Sequence, residues 1–145
     1  MFLGQYEHTL DEKGRLTIPA RFREQLSDGA YVTRGFDHNL IVLTAASFQI
    51  IYNQVNATSL TNPTSRSLRH LLFAKAERVE ADKTGRILIP QFLRQSATID
   101  LNAVVIGAGS FFEIWSPEAW AEQNRLLDNA EANTQLYTAF DLSAA

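Results

Sequence analysis

Asp11-Glu12-Lys13-Gly14-Arg15-Leu16-Thr17-Ile18-Pro19-Ala20-Arg21-Phe22-Arg23 decides the fold, because it returns 71 residues later as Asp82-Lys83-Thr84-Gly85-Arg86-Ile87-Leu88-Ile89-Pro90-Gln91-Phe92-Leu93-Arg94. Six positions are identical, and Leu16/Ile87 and Phe22/Leu93 are apolar in both copies. Each block has a physical reading. In Asp-x-x-Gly an aspartate side chain accepts hydrogen bonds from the turn backbone, and glycine takes the positive φ that closes a hairpin. Asp11, Gly14, Asp82 and Gly85 are therefore expected to form turns. Beyond each turn Leu16 and Ile18 alternate with Arg15 and Thr17, as Ile87 and Ile89 alternate with Arg86 and Leu88. That period of two buries one strand face and turns each arginine outward. Pro19 and Pro90 then stand where a strand ends and a short helix can start without losing an N–H bond.

Outward from these blocks the two halves keep the same order. At an offset of 72, Gly35 matches Gly107, Leu40 to Leu43 match Phe112 to Trp115, and Thr44 to Phe48 match Ser116 to Trp120. Each half reads strand, turn, strand, short helix, strand, turn, strand, longer helix, which defines an α+β class built by duplication. Thr44 and Ser116 are N-caps for the longer helices, and Pro117 and Glu118 suit the first turn of the second. Phe48, Ile51, Tyr52 and Val55 recur at helical intervals and read as core or subunit contacts. Residues 56 to 63 read as a loop and Thr64 to Ala74 as a connecting helix carrying Leu68, Leu71 and Leu72 on one side. The expected division is residues 1–76 and 77–145. The stretch from Glu131 to Ala145 loses periodicity and is expected to be frayed or ordered by a partner.

The 145 residues carry a net charge of −3 and no cysteine, which excludes disulfides and thiolate metal sites and suits a reducing cytoplasm. No run is long and apolar enough for a signal peptide or a membrane span, so a cytoplasmic location is expected. Charge is segregated along the chain. Residues 66 to 94 hold seven cations against three carboxylates, whereas residues from 95 onward hold seven carboxylates against Arg125 alone. One face suited to polyanions and another suited to water or neighbouring subunits follow from that split.

The paired Asp-x-x-Gly-Arg-x-x-Ile-Pro blocks, with the Met-Phe-x-Gly start at residues 1 to 4 and Lys13-Gly14-Arg15, resemble the repeated signature of the MraZ family within the SpoVT-AbrB group. The resemblance covers nearly the whole chain. It implies two tandem, pseudo-symmetric swapped-hairpin β-barrel units with flanking helices, and ring-like homo-oligomers. It also implies a nucleoid-associated transcription regulator that binds double-stranded DNA at short direct repeats upstream of the division and cell-wall gene cluster. The Asp-x-x-x-Arg pairs Asp11/Arg15 and Asp82/Arg86 match the family's DNA-binding motif. The second copy has Thr84 where the first has Lys13, with Lys83 one place earlier.

Arg15 and Arg86 are the leading DNA-binding candidates, read as guanidinium groups entering the major groove from a β-ribbon. The plainer reading is an exposed ion pair with the aspartate four residues back, worth under about 1 kcal/mol. Lys13 and Lys83 at the turn tips are candidates for phosphate contact. Arg21, Arg23 and Arg94 rank third, as sources of positive potential. An enzyme is not expected: His8, His38 and His70 are scattered without zinc spacing or a nearby nucleophile motif, and Gly107-Ala108-Gly109-Ser110 lacks the rest of a phosphate loop. No cofactor, metal or small-molecule substrate is implied. The alternative is a protein–protein interaction module of antitoxin-like type, which the acidic pI also suits.

Overall fold

A computed structural model describes residues 1–142. Its strands are β1 (Gln5–Thr9), β2 (Arg15–Thr17), β3 (Ala30–Arg34), β4 (Leu40–Thr44), β5 (Glu77–Val79), β6 (Arg86–Leu88), β7 (Asn102–Gly107) and β8 (Phe111–Trp115). Its helices are α1 (Ala20–Arg23), α2 (Ala45–Asn56), α3 (Pro63–Phe73), α4 (Gln91–Ser96), α5 (Pro117–Leu126) and α6 (Ala130–Ala139), with a 3₁₀ turn at Glu24–Leu26. The α+β reading and the element order of both halves agree with the sequence. Thr44 and Ser116 accept the expected cap bonds from Ser47 N and Ala119 N at 3.1 Å each. Asn62 caps α3, with Pro63 in its first turn.

The strands form a six-stranded antiparallel sheet in the order β1-β7-β8-β4-β3-β5, and a separate two-stranded ribbon of β2 with β6. Replacing each strand by its counterpart in the other half reverses that order onto itself. Each half's opening strand thus leaves its own hairpin and joins the other's: β1 pairs with β7, and β5 with β3. At the centre β4 meets β8, with Ile41 opposite Glu113, two positions related by the 72-residue offset. The ribbon repeats this relation, with Leu16 opposite Ile87.

Both faces of the sheet are covered, which explains why β4 and β7 read as unbroken apolar runs rather than alternating ones. Toward the ribbon, both halves supply one core, in which Leu16, Ile18, Phe22, Ile87, Ile89 and Leu93 are buried beside Leu40, Val42, Phe112 and Ile114. Phe2 joins it, with its ring centroid 5.0 Å from Phe22 and 5.2 Å from Phe112, both edge-on. On the opposite face, α2 and α3 cover Ile41 and Leu43, while α5 covers Val104, Ile106 and Trp115 through Ala119 and Trp120.

The end of the chain departs from the sequence reading. Residues 130–139 are helical because Asn129 Oδ1 accepts from Ala132 N at 3.0 Å, and alanine, glutamate, glutamine and leucine then favour propagation. Helix α6 buries none of its residues. The part of the expected tail at residues 143–145 lies outside the described residues.

No helix among the described residues is long and apolar enough to cross a membrane.

Candidate nucleic-acid interface

The two turns have the same backbone. Gly14 N donates to Asp11 O and Gly85 N to Asp82 O, each at 3.0 Å. Gly14 and Gly85 sit at φ 84° and 79°, where a Cβ is penalised. Asp11 Oδ1 accepts from the amides of Lys13 and Arg15 at 3.0 and 2.8 Å, and Asp82 Oδ1 from those of Thr84 and Arg86 at 3.0 and 2.9 Å. These amides, that of Arg86 foremost, hold the Asp82 carboxyl at about 2 against a usual 3.8. The Arg15 amide likewise leads in holding Asp11 below its usual value. Both carboxylates therefore stay ionised at neutral pH.

Behind the turns the ribbon is extended at each end by one bond, Ile18 N to Gly85 O and Ile89 N to Gly14 O, both 2.9 Å. Leu16 and Ile87 point into the core, so Arg15 and Thr17 on one strand and Arg86 and Leu88 on the other form its outer face. Arg15 stands opposite Leu88, and Thr17 opposite Arg86. Burying Leu16 and Ile87 contributes about 2 kcal/mol each. The exposed ion pairs add little by comparison, because water screens them. The ribbon is consequently held by its inner face, and truncating its arginines is expected to leave the fold intact.

Each arginine is oriented by a carboxylate. Arg15 Nε donates to Asp11 Oδ2 at 2.6 Å, and Arg86 Nε to Asp82 Oδ2 at 3.0 Å. Arg86 Nη1 also reaches Asp11 Oδ2 at 3.4 Å, across the ribbon. The ion pair of the plainer reading is thus present in both copies. It engages Nε and leaves both terminal nitrogens of Arg15, and Nη2 of Arg86, without acceptors among the described residues. Side-chain exposures are 33% and 30%. Arg15 thus keeps a two-nitrogen fork of the kind that matches a phosphate or guanine O6 and N7, and Arg86 keeps one terminal donor.

The remaining candidates separate. Lys13 and Lys83 are exposed within the two turns, and Arg21 is exposed on α1. Arg23 and Arg94 brace the backbone instead, their Nε atoms donating to Ile18 O and Ile89 O at 2.9 and 3.0 Å. Each covers the other half's turn. A methyl on Gly14 would stand 2.8 Å from Arg94, and one on Gly85 would collide with the Arg23 guanidinium. The basic segment 66–94 does not form one patch, since α3 lies across the sheet from the ribbon core. There Arg69 donates to Val55 O and Thr58 O. The sequence alone does not single out Thr17 and Leu88. Alternation already faces them outward, but what joins them to the arginines is the pairing of two strands 71 residues apart. Among the described residues no group of three or more metal-ligating side chains occurs.

An interlocked duplicate whose two halves jointly build an arginine-bearing β-ribbon defines a class of tandem-repeat α+β proteins with one shared core. A sequence profile described as "MraZ protein, putative antitoxin-like" matches residues 1–71 and again 72–142. A protein of Herpetosiphon aurantiacus named "Transcriptional regulator MraZ" is 48% identical over 143 residues, covering 98% of this chain and 100% of its own. Relatives of the same name from Roseiflexus castenholzii and Carboxydothermus hydrogenoformans are 45% and 43% identical, covering 94% and 91% of this chain and 94% and 90% of theirs. The chain belongs to the MraZ family.

Proposed function

We propose that this chain is a transcription regulator that binds double-stranded DNA through the β2–β6 ribbon, with Arg15 and Arg86 as the reading groups. The observation that carries this reading is the pair of guanidinium groups on the ribbon's outer face, each held through Nε by its turn aspartate, with both terminal nitrogens of Arg15 and Nη2 of Arg86 without acceptors among the described residues. Lys13 and Lys83 add phosphate contacts at the tips, and Arg21 adds positive potential beside them. Arg23 and Arg94 act mainly by fixing the turns. The names of the relatives support regulation of transcription as the role. The exchange of β1 and β5 supports a swapped-hairpin arrangement of two repeats, divided near residue 76.

A chain with net charge −3 binds a polyanion poorly through one small ribbon. A ring-like homo-oligomer overcomes this by presenting several ribbons to several direct repeats, since linked sites gain effective concentration without new contacts. In this reading the protein works in the cytoplasm at the nucleoid, without a cofactor, on repeats upstream of the division and cell-wall genes.

The test is a fluorescence-anisotropy titration against DNA upstream of the protein's own gene, at two salt concentrations, with a scrambled duplex as control. Each base-reading arginine is expected to contribute about 1–3 kcal/mol. Arg15→Ala/Arg86→Ala, folded by circular dichroism, is accordingly expected to bind at least about tenfold more weakly. Unchanged affinity in that variant overturns the reading.

A further inference from the structure

The outer face of the ribbon carries Arg15 and Thr17 from β2 and Arg86 and Leu88 from β6. The DNA reading above uses the two arginines and leaves the other two side chains without a task. Leu88 is 51% exposed. A lone exposed leucine is ordinary on most of a protein surface. This one stands on an otherwise polar face, directly opposite Arg15 and two residues from Arg86 on the same strand. Side chains directly opposite in an antiparallel pair have Cβ atoms about 4.5–5.5 Å apart. At a rise of about 3.4 Å per base pair, the Leu88 isobutyl group and the Arg15 fork therefore meet DNA within one or two base-pair steps of each other.

The surroundings of Leu88 decide which part of the DNA it meets. Beside it lies a hollow of about 220 Å³, lined by Val79 and Pro90 together with Glu77, Arg78 and Glu80. Arg78 Nη1 donates to Glu80 Oε1 at 2.6 Å, so the cation of that set is already engaged and the Glu77 carboxylate remains. Such a flank repels a phosphate and is indifferent to a hydrocarbon group. In the major groove the apolar group that a base edge presents is the thymine 5-methyl. Thr17 holds the equivalent place in the first half, since the offset of 71 that relates Arg15 to Arg86 also relates Thr17 to Leu88. A hydroxyl stands there instead, and the two ends of the ribbon are chemically unlike.

We infer that Leu88 is a specificity-determining residue, packing on the 5-methyl of a thymine one or two steps from the base pair that Arg15 reads. This rests on the ribbon reading above and gives it a second kind of base and a direction. The two arginines alone fit a site in either orientation, because the pseudo-twofold relation of the halves exchanges them. Leucine at one end and threonine at the other make one orientation the better fit.

Anisotropy titration tests this with the duplex upstream of the protein's own gene, made once with thymidine and once with deoxyuridine at every thymine position. Deoxyuridine pairs as thymidine does and lacks only the methyl. Burial of one methyl corresponds to about a fourfold gain in affinity. The wild type is accordingly expected to bind the deoxyuridine duplex about fourfold or more weakly. Leu88→Ala changes an exposed side chain, and with an unaltered circular dichroism spectrum is expected to bind both duplexes alike. A wild type that binds both duplexes equally, or a folded Leu88→Ala that keeps the wild-type ratio between them, overturns the inference; the first of these needs no variant. Arg15→Ala/Arg86→Ala separates the two readings. If that variant binds the thymidine duplex as the wild type does, the ribbon reading fails and this inference with it. If its affinity falls while Leu88→Ala keeps the wild-type ratio, the ribbon reading stands and Leu88 alone is misassigned.

Discussion

In the first turn Asp11 serves two arginines, Arg15 at 2.6 Å and Arg86 at 3.4 Å, whereas in the second Asp82 divides itself between Arg86 and Thr84. The tips differ as well: Glu12-Lys13 is neutral as a pair, and Lys83-Thr84 carries one positive charge. Duplication has kept what the backbone requires, namely aspartate, glycine and the arginine amide. It has released the side chains that face solvent. The two copies are therefore alike as turns and unequal as charges.

The largest effect that could break this comparison is on stability. Gly85→Ala is expected to cost about 2–3 kcal/mol, from positive φ and from displacing Arg23 off Ile18 O. Gly14→Ala is expected to cost about 1–2 kcal/mol, because the Arg94 guanidinium needs to move less. Urea denaturation of both variants measures this, and equal costs would remove the asymmetry assigned to the turn covers.

A smaller effect concerns acid. Both aspartates titrate below their usual value in the folded chain, so each contributes stability that is complete above about pH 4 and is lost as pH falls. For Asp82 the loss runs from about pH 4 to about pH 2. Asp82→Asn is expected to flatten the fall in Tm over that range more than Asp11→Asn does. Thermal melts at several pH values decide it, and identical profiles would make the two carboxylates equivalent.

The smallest expected effect sharpens the difference at the tips. In the proposed DNA complex Glu12→Gln removes a like charge facing the phosphates, and is expected to tighten binding roughly two- to fivefold. Lys83→Gln is expected to weaken it and to lower the salt slope by about one. Anisotropy titrations over a salt series read both changes; no response to Glu12→Gln would place the first tip away from the backbone of the DNA.

Local chemistry is legible in the residues. Asp-x-x-Gly specifies both turns, Thr44 and Ser116 specify helix starts, and alternation sets which side of each short strand is buried. Partnership is not legible. Nothing in the period of Gln5–Thr9 says that it pairs with β7 rather than with its own half, because register with a distant strand leaves no local pattern. Arg23 and Arg94 read as surface charge for the same reason: the carbonyls they cap are local, but the turns they cover belong to the other half. Arg66 and Arg69 are near Arg86 in sequence and face away from it, since α3 crosses to the other side of the sheet. Helix α6 leaves little trace in the sequence because the usual signal, an apolar face turned to its own core, is absent.

The exchanged opening strand also sets a schedule for synthesis. Thr9 meets Asn102 and Gln5 meets Ile106, so β1 leaves the ribosome roughly a hundred residues before its neighbour. At about 5–20 residues per second, that is a wait of about 5–20 s during which the sheet lacks an edge. A polypeptide interrupted anywhere before β7 has no native place for its first strand, whose backbone hydrogen-bonding groups stay unpaired. Completion of the sheet is thereby tied to completion of the chain, because the first strand finds its neighbour only once β7 has been made.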